Sequence, residues 1–389
     1  MKTSMNTLLT LLCLFLFTFS LSAQSRKDID SYVTFLEDKA KLSAKDYVIS
    51  MFKKNDIVIL CERHHQELKQ YDLLLEIIQD PYFIENVGVV FTEVGSQILN
   101  PELNSFLQNS ALSEEEIEKK LLHFQRQCMF SVWEKSNFAY FLRGIHRINK
   151  RLPDNKKVKM YPADVIYVEG EATESKVLDM LMNMINRDER MADYIIDNFD
   201  NMRKLNPNQK ALVIMNYRHA YKKEVPNSSD NAGLYLVEKY SDQVANIYIN
   251  NYNTQKKQPL QDGKWDAAFK AANIKDTGFN FDGSPFGEDY FDHWAFENEN
   301  TYKMMFDGFI YYYPPEEFKL VTGLPGFMED GFLEEAIIET EMYDKVLSGL
   351  KKQEPTPVDM EWLKQLNSIH IKPIPNLDSI TISINKWLE

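Results

Sequence analysis

The sequence predicts an α/β fold, with a mostly parallel central β-sheet flanked by helices. Five short apolar runs alternate along the chain with longer stretches of helical periodicity. The runs are apolar throughout rather than at every second residue, which suits strands covered on both faces. The first four runs also stop at charged or polar residues. In open α/β sheets ligands bind outside the carboxyl ends of the strands, so an active-site cleft is expected there.

Taken in order, "DIVILC" (56–61) reads as a buried strand, and "ELKQYDLLLEIIQD" (67–80) follows it with Leu68, Tyr71, Leu75 and Ile78 on one helical stripe. "VGVVFTEVG" (87–95) is the second strand. Residues 113–127 form a helix opened by a capping box, with Ser113 as N-cap and Glu116 three residues on. A further helix covers 131–151. "KVKMYPADV" (157–165) is the third strand, and helices fill about 170–205. "KALVIMNYRHA" (210–220) and "VANIYINNY" (244–252) are the fourth and fifth strands. From about 255 to 285 the chain reads as loop with a short helix, and an aromatic, Pro-rich C-terminal segment follows, including "MMFDGFIYYYPPEEF".

The first 23 residues read as a secretory signal peptide. Lys2 precedes an apolar run from Leu8 to Leu21, and "LSA" supplies small residues at the cut. The run is shorter than the ~20 residues of a membrane span. Removal of Lys2 takes the net charge from -14 to about -15. Such an acidic chain is a poor partner for nucleic acid or anionic membranes. The expectation is an exported protein, periplasmic or extracellular, with no span after cleavage. The main domain would cover 24–316, with 317–389 as an extension packed on it. Cys61 and Cys128 remain in the mature chain, and spacing leaves their pairing open.

The strand ends supply the candidate site: Glu62 with His64 and His65 after the first strand, Glu93 in the second, Asp164 after the third, Arg218 and His219 after the fourth. A neutral imidazole accepts a proton from water while a carboxylate fixes its tautomer. Arg63 or Arg218 suits a developing oxyanion. The same histidines and carboxylates also suit a divalent metal such as zinc or manganese. Spacing does not choose, since the pattern is not the HExxH of metalloproteases. There is no GxSxG, P-loop, CxxC or GxGxxG after a strand. His123, His146 and His370 lie in helical or surface patterns and read as structural, while His293 in "FDHW" is a candidate lid residue.

"ILCERHHQ…LLLEII", "VVFTEVG", "YPADV", "LVIMNYRHA" and "MFDGFIYYYPPEEF" together resemble the superfamily of the erythromycin esterases, the haem-binding lipoprotein ChaN and the TraB/Tiki proteins. The erythromycin esterase-like branch is the most similar. In that resemblance Glu62 matches the Glu after the first strand, His64 or His65 the following His, and Glu93 the Glu of the second strand. Asp164 matches the Asp of the third and His219 the last His of the fourth. Asp307–Tyr313 matches the closing segment. Cys61 stands where the family usually has Gly, Asn216 where it often has a second His, and Asn137 where the esterases carry a Glu.

The resemblance implies an esterase-like hydrolase that requires no cofactor and acts on a small-molecule ester or lactone. A metal-dependent peptidase similar to Tiki proteins would instead use Glu62, His64, Glu93 and His219 as ligands for manganese, cobalt or zinc. A haem binder similar to ChaN would use a His or Tyr217.

Overall fold

Side chains along a strand point alternately to its two faces. In Ile57–Glu62 (β1), Ile57, Ile59 and Cys61 enter one apolar layer, and Val58 and Leu60 enter the other. In Ala211–Asn216 (β4), Ala211, Val213 and Met215 enter the first layer, and Leu212 and Ile214 the second. Both faces are covered, which is why these runs show no polar alternation. Burying each such Val, Leu or Ile contributes about 1.5–3 kcal/mol.

The computed structural model describes residues 26–128, 135–164, 173–224, 231–253, 258–292 and 299–389. The segment read as a signal peptide and His293 lie outside these residues. The remaining strands of the main sheet are Val89–Ser96 (β2), Lys159–Asp164 (β3), Val244–Ile249 (β5), Asp276–Asn280 (β6) and Gly308–Tyr312 (β7). Their order is β3-β2-β4-β1-β5-β7-β6. All neighbours are parallel except β6 and β7, which are antiparallel. From β1 the chain moves outward to β2 and β3, returns to β4 between β2 and β1, then crosses to β5. The four polar strand ends therefore converge on one edge. Glu62 and Asn216 are direct register partners there.

The helices include Lys69–Ile78 (α1), Glu114–Arg126 (α2), Lys135–Asn149 (α3), Glu174–Ile185 (α4), Arg187–Leu205 (α5), Ala232–Tyr240 (α6), Lys264–Ala271 (α7) and Leu377–Lys386 (α8). The capping box at Ser113 and Glu116 forms as the sequence indicates.

One feature differs from the sequence reading. The stretch 255–285 contains β6 as well as helix α7, because "DTGFN" extends the sheet antiparallel to β7. Asp307–Tyr313, within the main domain of the sequence reading, is built into the sheet. Gly308–Tyr312 is fully buried between β5 and β6, and a Cβ at Gly308 would lie 2.0 Å from the Tyr47 hydroxyl. Asp307 pairs with Lys222 and accepts from the Asn246 backbone N–H at 2.9 Å, so this carboxylate ties β7 to β5.

Beyond residue 317, Leu320–Thr322 (β8) and His370–Lys372 (β9) pair antiparallel. Ile374, Ile380 and Ile384 enter the same apolar layer as β1. Cys61 lies in that layer and Cys128 in the layer on the opposite face, so the sheet separates them and no disulfide joins them. Among the described residues no helix is long and apolar enough to cross a membrane.

Candidate active site

The site grows out of a bulge. Thr92 is opposite Pro162, but the next partners are Ser96 and Asp164, so β2 carries extra residues between these points. Such irregularities bend a strand and re-aim its side chains. Gly95 permits this one with φ +97, and a Cβ there would press on Pro162 at 3.0 Å and Phe138 at 3.2 Å. Glu93 sits in the bulge and is buried.

Glu93 Oε2 accepts from the Asn216 backbone N–H at 2.7 Å. Its Oε1 lies 3.1 Å from His219 Nε2 and accepts from Arg187 Nη2, also at 3.1 Å. Burial alone would raise the Glu93 carboxyl, but His219, Arg187 and His65 outweigh it and hold the group well below its ordinary range. Arg187 also grips Asp164 with two bonds, Nε to Oδ1 at 2.7 Å and Nη2 to Oδ2 at 3.1 Å.

His219 ends the short turn Tyr217–His219 that follows β4. Its Nδ1 meets Asp188 Oδ1 at 2.7 Å. Burial works against a charged imidazole here, yet Glu93 and Asp188 raise its pKa to about 9. The raised value favours the protonated imidazole at neutral pH, with Nδ1 facing Asp188 and Nε2 facing Glu93. Arg187 Nη1 stands 3.2 Å from His219 Nε2, so two cations share a pocket ringed by Glu93, Asp164 and Asp188.

A second cluster adjoins the first. His65 Nδ1 donates to Glu62 Oε2 at 3.1 Å, and the Tyr71 hydroxyl donates to Glu62 Oε1. Burial opposes protonation of His65, but Glu62, helped by Glu93, raises its pKa. His64 is different. Its Nδ1 accepts from the Gln66 backbone N–H at 3.3 Å, and burial, reinforced by the neighbouring His65, lowers its pKa to about 4.

The loop carrying both histidines is built on Arg63. Its guanidinium donates to Glu67 Oε2 at 2.8 Å, to the Asn250 carbonyl at 2.6 Å, to Asn250 Oδ1 at 2.6 Å and to the Tyr312 carbonyl. It also lies 4.0 Å from the Phe318 ring centre. Arg63 is thus scaffold and not an oxyanion donor. The loop is further held by Leu68 N–H to the Lys319 carbonyl at 3.0 Å, Val321 N–H to the Gln66 carbonyl at 2.8 Å, and Asn137 Nδ2 to the His65 carbonyl at 2.8 Å.

The structure therefore brings Glu93, Asp164 and His219 into one hydrogen-bonded cluster, with Glu62 and His65 beside it. It does not bring the Arg218 side chain into the buried part of that cluster: Arg218 is exposed, and its charge acts on Tyr217 and Tyr221. Tyr217 is buried in an aromatic cluster with Tyr221 and Tyr248. Among the described residues, no group of three or more His, Cys, Asp or Glu side chains has the geometry to hold a metal ion. The set Glu62, His64, Glu93 and His219 is spread over two clusters, because His64 turns toward Gln66.

Asn216 and Asn137, two of the three departures from the pattern the sequence resembles, both brace the histidine loop. Asn216 Nδ2 donates to the Arg63 carbonyl at 3.1 Å. Reading strand ends alone missed Arg187 and Asp188, because they open helix α5. Their only sequence signal is the charged run "RDER" directly after Asn186. Tyr71 reads simply as part of an apolar helical stripe.

No protein-family model and no curated protein matches the chain. Among solved structures it is similar to a histidine-to-asparagine variant of the erythromycin esterase EreC in its open conformation, with 12% identity over 68% of this chain and 92% of that one, at TM-score 0.46. ChaN of Campylobacter jejuni, described with cofacial haem, gives 13% identity, 72% and 95% coverage and TM-score 0.38. A succinoglycan biosynthesis protein gives 10%, 76%, 98% and 0.47. These are likenesses of fold; the chemistry of the site rests on this chain's own residues.

Proposed function

We propose that this protein is an exported hydrolase in which His65 activates a water molecule to attack an ester or lactone carbonyl. The observation that carries the reading is the Glu62–His65 contact. A carboxylate on Nδ1 fixes the tautomer whose lone pair is on Nε2, and it stabilises the imidazolium formed when that nitrogen takes a proton from water. Tyr71 on the other carboxylate oxygen holds Glu62 in place. Between the two candidate histidines, this supports His65 over His64.

Hydroxide adds to the carbonyl carbon, and negative charge moves to the carbonyl oxygen. Arg187 and cationic His219 supply positive charge in the neighbouring cluster, the role the sequence reading gave to Arg218. Such groups act before the charge develops and so lose little to reorganisation. The alkoxide or enolate leaving group then takes a proton from His65 or His219, and the acid product departs. Export rests on the leader-like residues 1–23.

The test is turnover of a panel of chromogenic esters by the secreted form, with and without chelator. Turnover that survives chelator and vanishes in His65→Ala supports the reading. Turnover lost with chelator and restored by manganese, cobalt or zinc replaces it with a metallohydrolase. No turnover, with a Soret band on haem titration, replaces it with a haem carrier.

A further inference from the structure

A cavity of about 280 Å³ opens between helix α7 and Tyr311 of β7, and none of the residues of the histidine clusters line it. Its floor is Asp266, Phe269, Tyr311 and Ile384, all buried. Asp266 is only 6% exposed. The Tyr311 hydroxyl donates to its Oδ1 at 3.0 Å. Its Oδ2 has no hydrogen-bond partner among the described residues. That oxygen is not sealed from solvent, so a ligand in the cavity can reach it.

The positive charges nearby are already engaged. Lys275 pairs with Glu317 at 2.9 Å, Lys270 donates to Asn385 at 3.0 Å, and Arg63 is held in its own network. Glu316 adds a further negative charge at the rim. Phe269 and Tyr311 stack with ring centres 3.8 Å apart and give the wall an aromatic surface. A carboxylate beside aromatic rings in a small, largely apolar cavity recognises a cation with an apolar body.

We propose that this cavity is a binding site for a small organic cation, an ammonium group on a body of about one ring, with the ammonium donating to Asp266 Oδ2 and the body against Phe269 and Tyr311. The site does not depend on the hydrolase reading.

The test compares 2-phenylethylamine with 2-phenylethanol by calorimetry and ligand-observed NMR at pH 8, using the secreted form. A charged hydrogen bond to a buried carboxylate favours the amine by about tenfold or more. Asp266→Asn keeps the volume and the Tyr311 contact, and it abolishes that preference. Wild-type protein at pH 5.5 provides the same comparison without a substitution. Burial, reinforced by Glu316, raises the Asp266 carboxyl to about 7, so the preference fades as pH falls below that value. The other charged and titratable groups around Asp266 are Arg63, Lys270, Lys275, Tyr311, Glu316 and Glu317. Failure of the amine to bind, equal binding of the alcohol, or a preference that persists in Asp266→Asn each overturns the proposal.

Discussion

Glu93 Oε1 and His219 Nε2 stand 3.1 Å apart at the ends of two neighbouring parallel strands. More than 120 residues of chain separate them, and a bulge on one strand with a short turn on the other brings them together. Burial opposes a charged imidazole, but Glu93 and Asp188 raise the His219 pKa to about 9. His65 stands in the adjoining cluster, its Nδ1 on Glu62.

The division of labour between the histidines predicts different consequences of removing each. His65→Ala lowers kcat/KM by about 10²–10⁴-fold, the range of a general base. His64→Ala lowers it by less than about tenfold, since His64 makes its ring contact with a backbone N–H. Steady-state kinetics on a chromogenic ester compares the two. The reverse order would exclude His65 as the base.

Arg187 binds two buried carboxylates, so its loss leaves Glu93 and Asp164 without their cation. Arg187→Met costs about 3–5 kcal/mol of stability, as breaking a buried ion pair does. Arg187→Lys retains charge but loses the bidentate grip on Asp164, and it lowers kcat by about 10²-fold if the guanidinium stabilises developing charge. Arg218→Ala changes stability by less than about 0.5 kcal/mol, as exposed substitutions do. Urea unfolding and turnover measured side by side separate these outcomes.

His219 also predicts a pH dependence. Its ordinary value is 6.5, and Glu93 and Asp188 raise the folded value to about 9. A raised imidazole pKa adds stability that is fully present below pH 6.5 and is lost as pH rises through 9. Thermal midpoints between pH 6 and pH 9.5 should therefore fall, by about 1–3 kcal/mol in stability. His219→Gln flattens that slope. An equal slope in the variant would assign the effect to other groups. The Asp266 carboxyl also titrates from a raised value, but most of its contribution changes below about pH 7.

Arg63 carries the loop rather than the chemistry. Arg63→Met leaves Glu67 buried without its cation and the Asn250 and Tyr312 carbonyls without that donor, at a cost of about 3–5 kcal/mol. The double variant Arg63→Met, Glu67→Gln loses less than the sum, because the unpaired charge is gone. A double-mutant cycle by urea unfolding measures the coupling. Strict additivity would mean that the pair does not act as a unit.

Much of the site was legible because strands announce where they stop. Glu62, Glu93, Asp164 and His219 each follow an apolar run, and parallel strands end along one edge. Arg187 and Asp188 were not legible, because nothing in a charged run at a helix start tells a solvated first turn from one aimed into a site. Arg63 and Arg218 looked alike beside their histidines, yet one is buried among carbonyls and the other is exposed. Strand β6 was hidden by a short, Gly-containing stretch whose pairing with β7 is its main support.

The pattern of apolar runs by itself determined the α/β class, the positions of five strands and the edge on which their polar ends meet. Burial on both faces writes itself into local composition, so those features need no partner to be read. Which histidine is paired with a carboxylate, which arginine is a cation of the site and where 317–389 packs depend on contacts between residues far apart in the chain. The Arg63–Tyr312 contact and the Arg187–Glu93 contact arise only when the sheet closes. Protonation follows from those contacts, and for that reason the tertiary structure alone decided which groups carry charge.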